Sequence, residues 1–345
     1  MTRLILRRLL QLPLILLAIY TIALAMAWGI PGNPLENPEG RRPPPEVQQA
    51  MKSQYNLDSF WGFYWSYLRS ATGVKWAAER LSGDTRQATS DKRKAVHADA
   101  AGHGSPVAAR LSPVFDLGPS LQYRDQRVNE IIAGALPISM TLGGVAILIA
   151  LVIGMGAGVA GAVKPGSLWD HGTLAIALVG ISVPGFVVGT VLLTIFSLKL
   201  GWFPIGEWNP PRSLVLPAFT LSLPFAAYIA RLTRMGMIEA LSSDYVRTAR
   251  AKGVPEWRVV MIHALKNAFL PVLSYLGPAT AFAMTGSFVV EAVFTVPGLG
   301  QHFVNAVQNK DLFLILGVVL VFSTMLVVFN LLVDVLYRWV DPRIA

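Results

Sequence analysis

Six stretches of this chain run apolar for long enough to matter: Leu9–Ile30, Leu136–Val163, Thr173–Leu198, Leu214–Ile229, Leu270–Val290 and Leu312–Leu336. A helix needs roughly 20 such residues to cross about 30 Å of hydrocarbon. The fourth run is short and carries Pro217 and Pro224. Proline is tolerated in a spanning helix when neighbouring helices re-satisfy the backbone it frees. The pattern predicts an all-α integral membrane protein with six transmembrane helices. Two polar stretches interrupt it, one long after the first run and one shorter between the fourth and fifth.

Composition agrees with the pattern. The chain is 53% hydrophobic and only 14% charged, with mean hydropathy +0.51, too apolar for an ordinary soluble domain. Its net charge of +9 reports orientation in a membrane protein rather than nucleic-acid binding, which needs a basic soluble face. With the N-terminus inside, the cytoplasmic tails and short loops collect thirteen Lys and Arg residues, whereas the outer short loops hold only Lys199, Arg212 and Lys310. Both termini are therefore expected in the cytoplasm. The chain has no cysteine, which excludes disulfides, thiolate zinc sites, iron–sulfur clusters and thiol nucleophiles. Arg7-Arg8 and the small residues Ala23-Leu24-Ala25 imitate a secretory signal, but the first apolar run exceeds a signal's 7–15 residues. It is read as a retained helix.

Three regions follow. Residues 1–30 are a tail and the first helix, and residues 31–130 a long extracytoplasmic region. Residues 131–345 form a five-helix core containing the polar loop 236–269. Within the long region, Pro31–Pro45 is Pro-rich and extended. Glu46–Arg69 reads as a helix whose Phe60, Trp61, Phe63, Tyr64, Trp65 and Tyr67 rest at the membrane interface. A polar insertion at about 70–113 has the composition of a flexible segment.

The loop between the fourth and fifth runs has the densest local signals. Asp244 is placed to cap a helix over Tyr245–Lys252. Thr248, Ala249 and Ala251 are small enough to admit a partner's groove. Arg247, Arg250 and Lys252 sit toward its C-terminal end, which suits the helix dipole. Gly253 supplies a left-handed stop, and Pro255 and Glu256 open a second helix. In that helix Trp257, Val260, Met261, Ala264, Leu265 and Ala268 recur on one apolar face. Periodicity alone leaves two readings level: a docking element for a soluble partner, and a basic loop resting on anionic lipid. The order of small residues, glycine and amphipathic helix favours docking.

Set beside landmarks elsewhere, the loop resembles that of the membrane subunits of ATP-binding-cassette importers, specifically the dipeptide/oligopeptide/nickel permease family. The landmarks begin with Arg7-Arg8, Pro31-Gly32-Asn33-Pro34, Asp116-Leu117-Gly118-Pro119-Ser120, Tyr123-Arg124-Asp125, Glu130 and Leu136-Pro137. They continue with Gly201-Trp202-Phe203-Pro204, Leu216-Pro217, Glu291, Phe294 and Pro297-Gly298-Leu299-Gly300. Asp311, Asn330-Leu331, Asp334, Tyr337 and Asp341-Pro342-Arg343 complete the set. Together they span nearly the whole chain outside Ser70–Pro113. The importer loop motif generally begins Glu-Ala-Ala, and here Arg247-Thr248-Ala249 stand in its place, so no role of that glutamate carries over. The resemblance implies a type I ABC importer permease-like fold and a bacterial inner-membrane location. It implies a non-catalytic permease subunit for dipeptides, oligopeptides or related small solutes. Its expected partners are a homologous second permease subunit, two cytoplasmic ABC ATPase subunits, an extracytoplasmic solute-binding protein and the lipid bilayer, with no nucleic acid. ATP and Mg are used by the ATPases, and this chain binds no cofactor. Asp244, Tyr245, Arg247, Thr248, Ala249, Arg250 and Gly253 then form the ATPase-coupling loop. The chain has no Gly-Lys dipeptide, hence no phosphate-cradling P-loop.

Glu291 and Asp334 lie near span ends. A carboxylate at bilayer mid-depth can mark a pathway. Both lie close enough to an interface to avoid much of the cost, and Glu291 is the candidate for lining the pathway. Gly154–Gly158 and Gly185–Gly189 are small-xxx-small pairs for close helix packing. The five histidines show no metal-ligand spacing, so neither a metal site nor a catalytic residue is expected. An ion-gradient transporter, the competing class, calls for mid-membrane relays and an internal repeat, and neither is evident.

Overall fold

Long apolar runs become long helices wherever nothing in the sequence breaks them, and the computed structural model shows where breaks occur. It describes residues 2–32, 35, 45–81, 114–123 and 126–340. Most of Pro31–Pro45, residues 82–113 of the expected insertion, and the landmarks Asn33, Pro34, Arg124, Asp125 and Asp341–Arg343 lie outside them. Among the described residues the β structure is one isolated bridge, Pro119 with Arg127.

The helices are α1 (Thr2–Trp28), α2 (Pro45–Tyr55), α3 (Phe60–Ala71), α4 (Val74–Leu81), α5 (Val128–Val163) and α6 (Leu168–Ser182). Then come α7 (Gly185–Lys199) and α8 (Arg212–Ser242), followed by α9 (Asp244–Ala251). The last are α10 (Glu256–Met284), α11 (Phe288–Phe294), α12 (Leu299–Gln308) and α13 (Leu312–Val340). Five of them are long and apolar enough to cross a membrane: α1, α5, α8, α10 and α13. The third expected span is instead a pair, Asp170–Ser182 and Gly185–Lys199, bent by 102°. Pro184 explains the break, because it pushes Val183 out of the helical region. The fourth span corrects the sequence reading in the other direction: α8 runs unbroken through Pro217 and Pro224 for 31 residues. Its packing sustains it, since 67% of its most apolar window is buried.

By internal contacts the chain divides into two units. The first comprises Met1–Leu12, Leu136–Gln301 and Thr324–Ala345. Its core joins Leu142, Ala146 and Ala150 of α5 to Leu221, Phe225 and Ile229 of α8 and Val272 and Ala279 of α10. Glycines permit the closest approaches. A Cβ on Gly154 or Gly158 would strike the backbone of α8 at Ala226 or Ala230, and one on Gly277 would strike Asn330 of α13. Gly189 packs on Val293 and Phe294, while Gly185 faces open space. Only one member of that second small pair is therefore used in packing.

The second unit comprises Pro13–Ala135 and His302–Ser323. The single helix expected over Glu46–Arg69 is two, because Asn56 turns left-handed (φ 53°) and Ser59 caps α3 through Gly62 N–H. Helix also continues through α4 into what composition marked as insertion. The aromatic residues of α3 divide. Phe63, Tyr64 and Tyr67 are buried and pack on Tyr20, Trp28 and Phe313, whereas Trp61 and Trp65 are exposed. Aromatic rings carry enough apolar area to build a core as readily as an interfacial belt. Asp311, fully buried, accepts from Ser120 Oγ, Leu121 N–H and Gln122 N–H on one oxygen and from Leu314 N–H on the other. It both caps α13 and seats the 116–123 segment.

Candidate functional site

The loop of strongest sequence signal folds as a hook. α8 ends at Ser242, and Ser243, its C-cap, has extended geometry (ψ 156°) and serves as N-cap of α9 without a side-chain bond to it. The cap is thus one residue earlier than the sequence implies. Asp244 is the first helical residue, exposed, pairing at 3.4 Å with Arg247. A carboxylate in a first turn still suits the helix dipole. Val246 and Ala249 turn inward onto Val259, Leu241 and Val254, while Tyr245, Arg247, Thr248, Arg250 and Ala251 face out. Ala249 therefore belongs to the hook's own core.

Gly253 ends α9 with φ +75°. Its N–H bonds Arg250 O at 2.9 Å and that of Val254 bonds Ala249 O at 3.2 Å, the paired closure of a Schellman motif. A Cβ at Gly253 would meet nothing within 4 Å, so backbone conformation, not space, requires glycine here. Across this turn Arg250 grips Glu256 with two bonds, of 3.1 and 2.6 Å. Asn267 Nδ2 donates to the Tyr245 hydroxyl at 2.8 Å. Three attachments, ionic, apolar and polar, thus hold α9 against the start of α10. The exposed Arg250–Glu256 pair contributes little by itself.

The start of α10 departs from the expected face. Val259–Ala264 is a π-helical turn, whose i→i+5 bonding admits an extra residue and shifts the register. Val259, Val260, Ala264 and Ala268 are buried, the last three against Met237 and Ala240 of α8 and Ala162 of α5. Trp257 and Met261, assigned to the same face by periodicity, are 60% and 53% exposed. Arg258 lies over the Trp257 ring at 5.2 Å, a cation–π arrangement.

Glu291, the candidate for lining a pathway, is 0% exposed. Ser139 Oγ donates to one carboxylate oxygen at 2.8 Å and Gln301 N–H to the other at 3.1 Å. Ser139 Oγ in turn accepts from Leu299 N–H. Burial pushes the carboxyl's pKa upward, and the Ser139 hydroxyl and the N–H groups of Gln301 and Gly300 act against that rise. Gly286, Gly298 and Gly300 wrap so closely that a Cβ on any of them would strike the carboxylate. This explains the Pro297-Gly298-Leu299-Gly300 landmark: its glycines let the backbone close over Glu291. In this conformation the residue anchors a loop and faces no opening. Ser139 and Gly286 were not singled out by the sequence; a hydroxyl opposite a buried carboxylate becomes visible only once α5 and α11 are brought together.

The sequence also gave Asp170 no role and counted Arg234 only as a charge. Arg234 of α8 binds Asp170 of α6 through Nε at 2.5 Å and Nη2 at 2.8 Å. Among the described residues, no group of three or more His, Asp or Glu is placed to hold a metal ion.

Comparison with known proteins bears on this arrangement. The family described as "Binding-protein-dependent transport system inner membrane component" matches residues 131–345. The oligopeptide transport system permease protein of Salmonella typhimurium is 38% identical over 347 residues, covering 100% of this chain and 99% of that protein. The dipeptide transport system permease protein of Bacillus subtilis is 40% identical over 230 residues, covering 67% of this chain and 75% of that protein. Among solved structures, a methionine ABC transporter in inward-facing conformations superposes with TM-score 0.48 at 18% identity, over 62% of this chain and 97% of that chain. This chain, a multi-pass inner-membrane permease subunit, belongs to the binding-protein-dependent transport system inner membrane components, in their oligopeptide and dipeptide permease group.

Proposed function

We propose that this chain forms one half of the pathway of a peptide importer and that the α9–α10 hook is where separate ATPases move it. A homologous permease supplies the other half, two cytoplasmic ABC ATPases dock beneath, and an extracytoplasmic binding protein delivers dipeptides or oligopeptides. The oligopeptide and dipeptide permeases among its relatives support the substrate class. The observation that carries the mechanical reading is the hook: a short helix braced by ion pair, apolar contact and hydrogen bond against a helix long enough to span. Such a part moves as a rigid body. Asp244, Tyr245, Arg247, Thr248 and Arg250 are the exposed groups a partner would touch, with Ala249 and Gly253 holding the shape. ATP and its Mg stay with the ATPases, since this chain has no P-loop.

The test is reconstitution. Co-expressed with its sister permease and ATPases and placed in nanodiscs, the chain is expected to co-purify with both and to support ATP hydrolysis that rises when binding protein loaded with a casein-digest peptide pool is added. Failure to bind the ATPases, or peptide uptake that persists without ATP and collapses with the proton gradient, would overturn the reading.

A further inference from the structure

Three helices converge on the Asp170–Arg234 pair. Asp170 is 3% exposed on its side chain. Its second oxygen also accepts from Gly166 N–H at 2.8 Å, and its own N–H reaches Ser167 Oγ at 3.3 Å. The carboxylate therefore fastens the 164–167 turn and the first turn of α6 to α8 at one point. α5 closes on the same point: a Cβ on Gly161 would press on Thr173 Oγ1 and Asp170 Oδ1, and one on Gly158 on Ala230 and Thr233 of α8.

Arg234 lies eight residues before Ser242, about 12 Å along the helix, with no proline between. Over that stretch α8 is joined to the hook. Gly236 abuts Ala268 of α10, and Met237 and Ala240 pack with Val260 and Ala264. The end of α8, α9 and the start of α10 thus behave as one body, and Arg234 is its ionic handle on α6. A bidentate guanidinium–carboxylate pair fixes distance and angle together. The Arg234 side chain keeps 23% exposure, so the pair is only partly buried, and the use of such a pair lies in holding one geometry more than in net stability.

We propose that Asp170 and Arg234 are positioning residues that transmit movement of the α9–α10 hook into α6 and the bent α6–α7 pair. This rests on the reading of the hook as the ATPase-driven part. Without the pair, ATPase closure still moves the hook, but α6 no longer follows, so hydrolysis loses its dependence on loaded binding protein.

The test uses the complete importer in nanodiscs and reads the ratio of ATP hydrolysis with peptide-loaded binding protein to basal hydrolysis, again with the casein-digest pool. Asp170→Asn and Arg234→Gln are each expected to assemble, keep basal hydrolysis and lower that ratio at least threefold. The double variant is expected to fall no further than either single, as for two halves of one link. Ratios at the wild-type level, or losses that multiply in the double variant, overturn the proposal. If a stranded charge prevents a single variant from assembling, Asp170→Leu/Arg234→Met, which leaves no charge behind, decides. A wild-type ratio in it refutes the link and an uncoupled ratio supports it. A wild-type importer with no stimulation at all would instead sink the hook reading, and the inference with it.

Discussion

Gly253 and Glu291 show two different reasons for one residue type to be required. At Gly253 the constraint is φ +75° with open space around it, so replacement strains the backbone without a collision. Gly253→Ala is expected to cost about 1–2 kcal/mol, and Gly253→Asn less, because asparagine tolerates the left-handed region. Gly253→Val should lower receptor-stimulated hydrolysis most, since the β-branched side chain resists that conformation; undiminished stimulation would remove the turn from the coupling mechanism. Around Glu291 the constraint is chemical. Its carboxylate receives N–H and O–H donors on both oxygens. Glu291→Gln keeps the shape but sets an amide N–H₂ against a donor, at a cost of about 1–3 kcal/mol. Fluorescence melting of the detergent-solubilised protein, read through its nine tryptophans, should show a lower midpoint for Glu291→Gln. It should also do so for Gly298→Ala, whose methyl would occupy the carboxylate's place.

At the scale of elements, the π turn at Val259–Ala264 decides which side of α10 is core. Val260→Asn places an amide among Met237, Ala240 and Ala264 and should cost about 3 kcal/mol, from lost burial and an unpaired polar group. Trp257→Gln, at an exposed position, should cost less than about 1 kcal/mol. Equal losses in melting experiments would mean that the 3.6-residue face read from sequence is correct after all. That contrast shows what a sequence exposes. Apolar length gave the spans, and Gly253 gave the end of α9, because both are local properties of the chain. The π register, the unbroken α8 and the burial of Phe63, Tyr64 and Tyr67 depend on neighbours distant in sequence. So does the Asp170–Arg234 pair.

For the whole molecule, the bent α6–α7 pair makes the number of crossings a question of charge. If the pair crosses, there are six spans, both termini share a side, and the short polar segments divide thirteen Lys and Arg to three. If it is re-entrant and returns to its own side, there are five. Arg3, Arg7, Arg8, Lys164, Lys199, Arg212 and Lys310 then face seven basic residues of the hook region joined by Arg338 and Arg343. Seven against nine is no bias, whereas inner-membrane proteins keep a strong one. The rule therefore predicts six crossings, with the hook inside and the 200–211 loop outside. Because the chain contains no cysteine, a single introduced thiol reports its side without background. Glu207→Cys and Thr248→Cys, both at exposed positions, are therefore the pair to label. A membrane-impermeant maleimide on intact spheroplasts should modify Glu207→Cys and spare Thr248→Cys, and inside-out vesicles should give the reverse. The reversed pattern on spheroplasts, Thr248→Cys modified and Glu207→Cys spared, would make the bent pair re-entrant and leave the hook out of reach of any ATPase, and labelling of both from one side would mean that α8 does not cross.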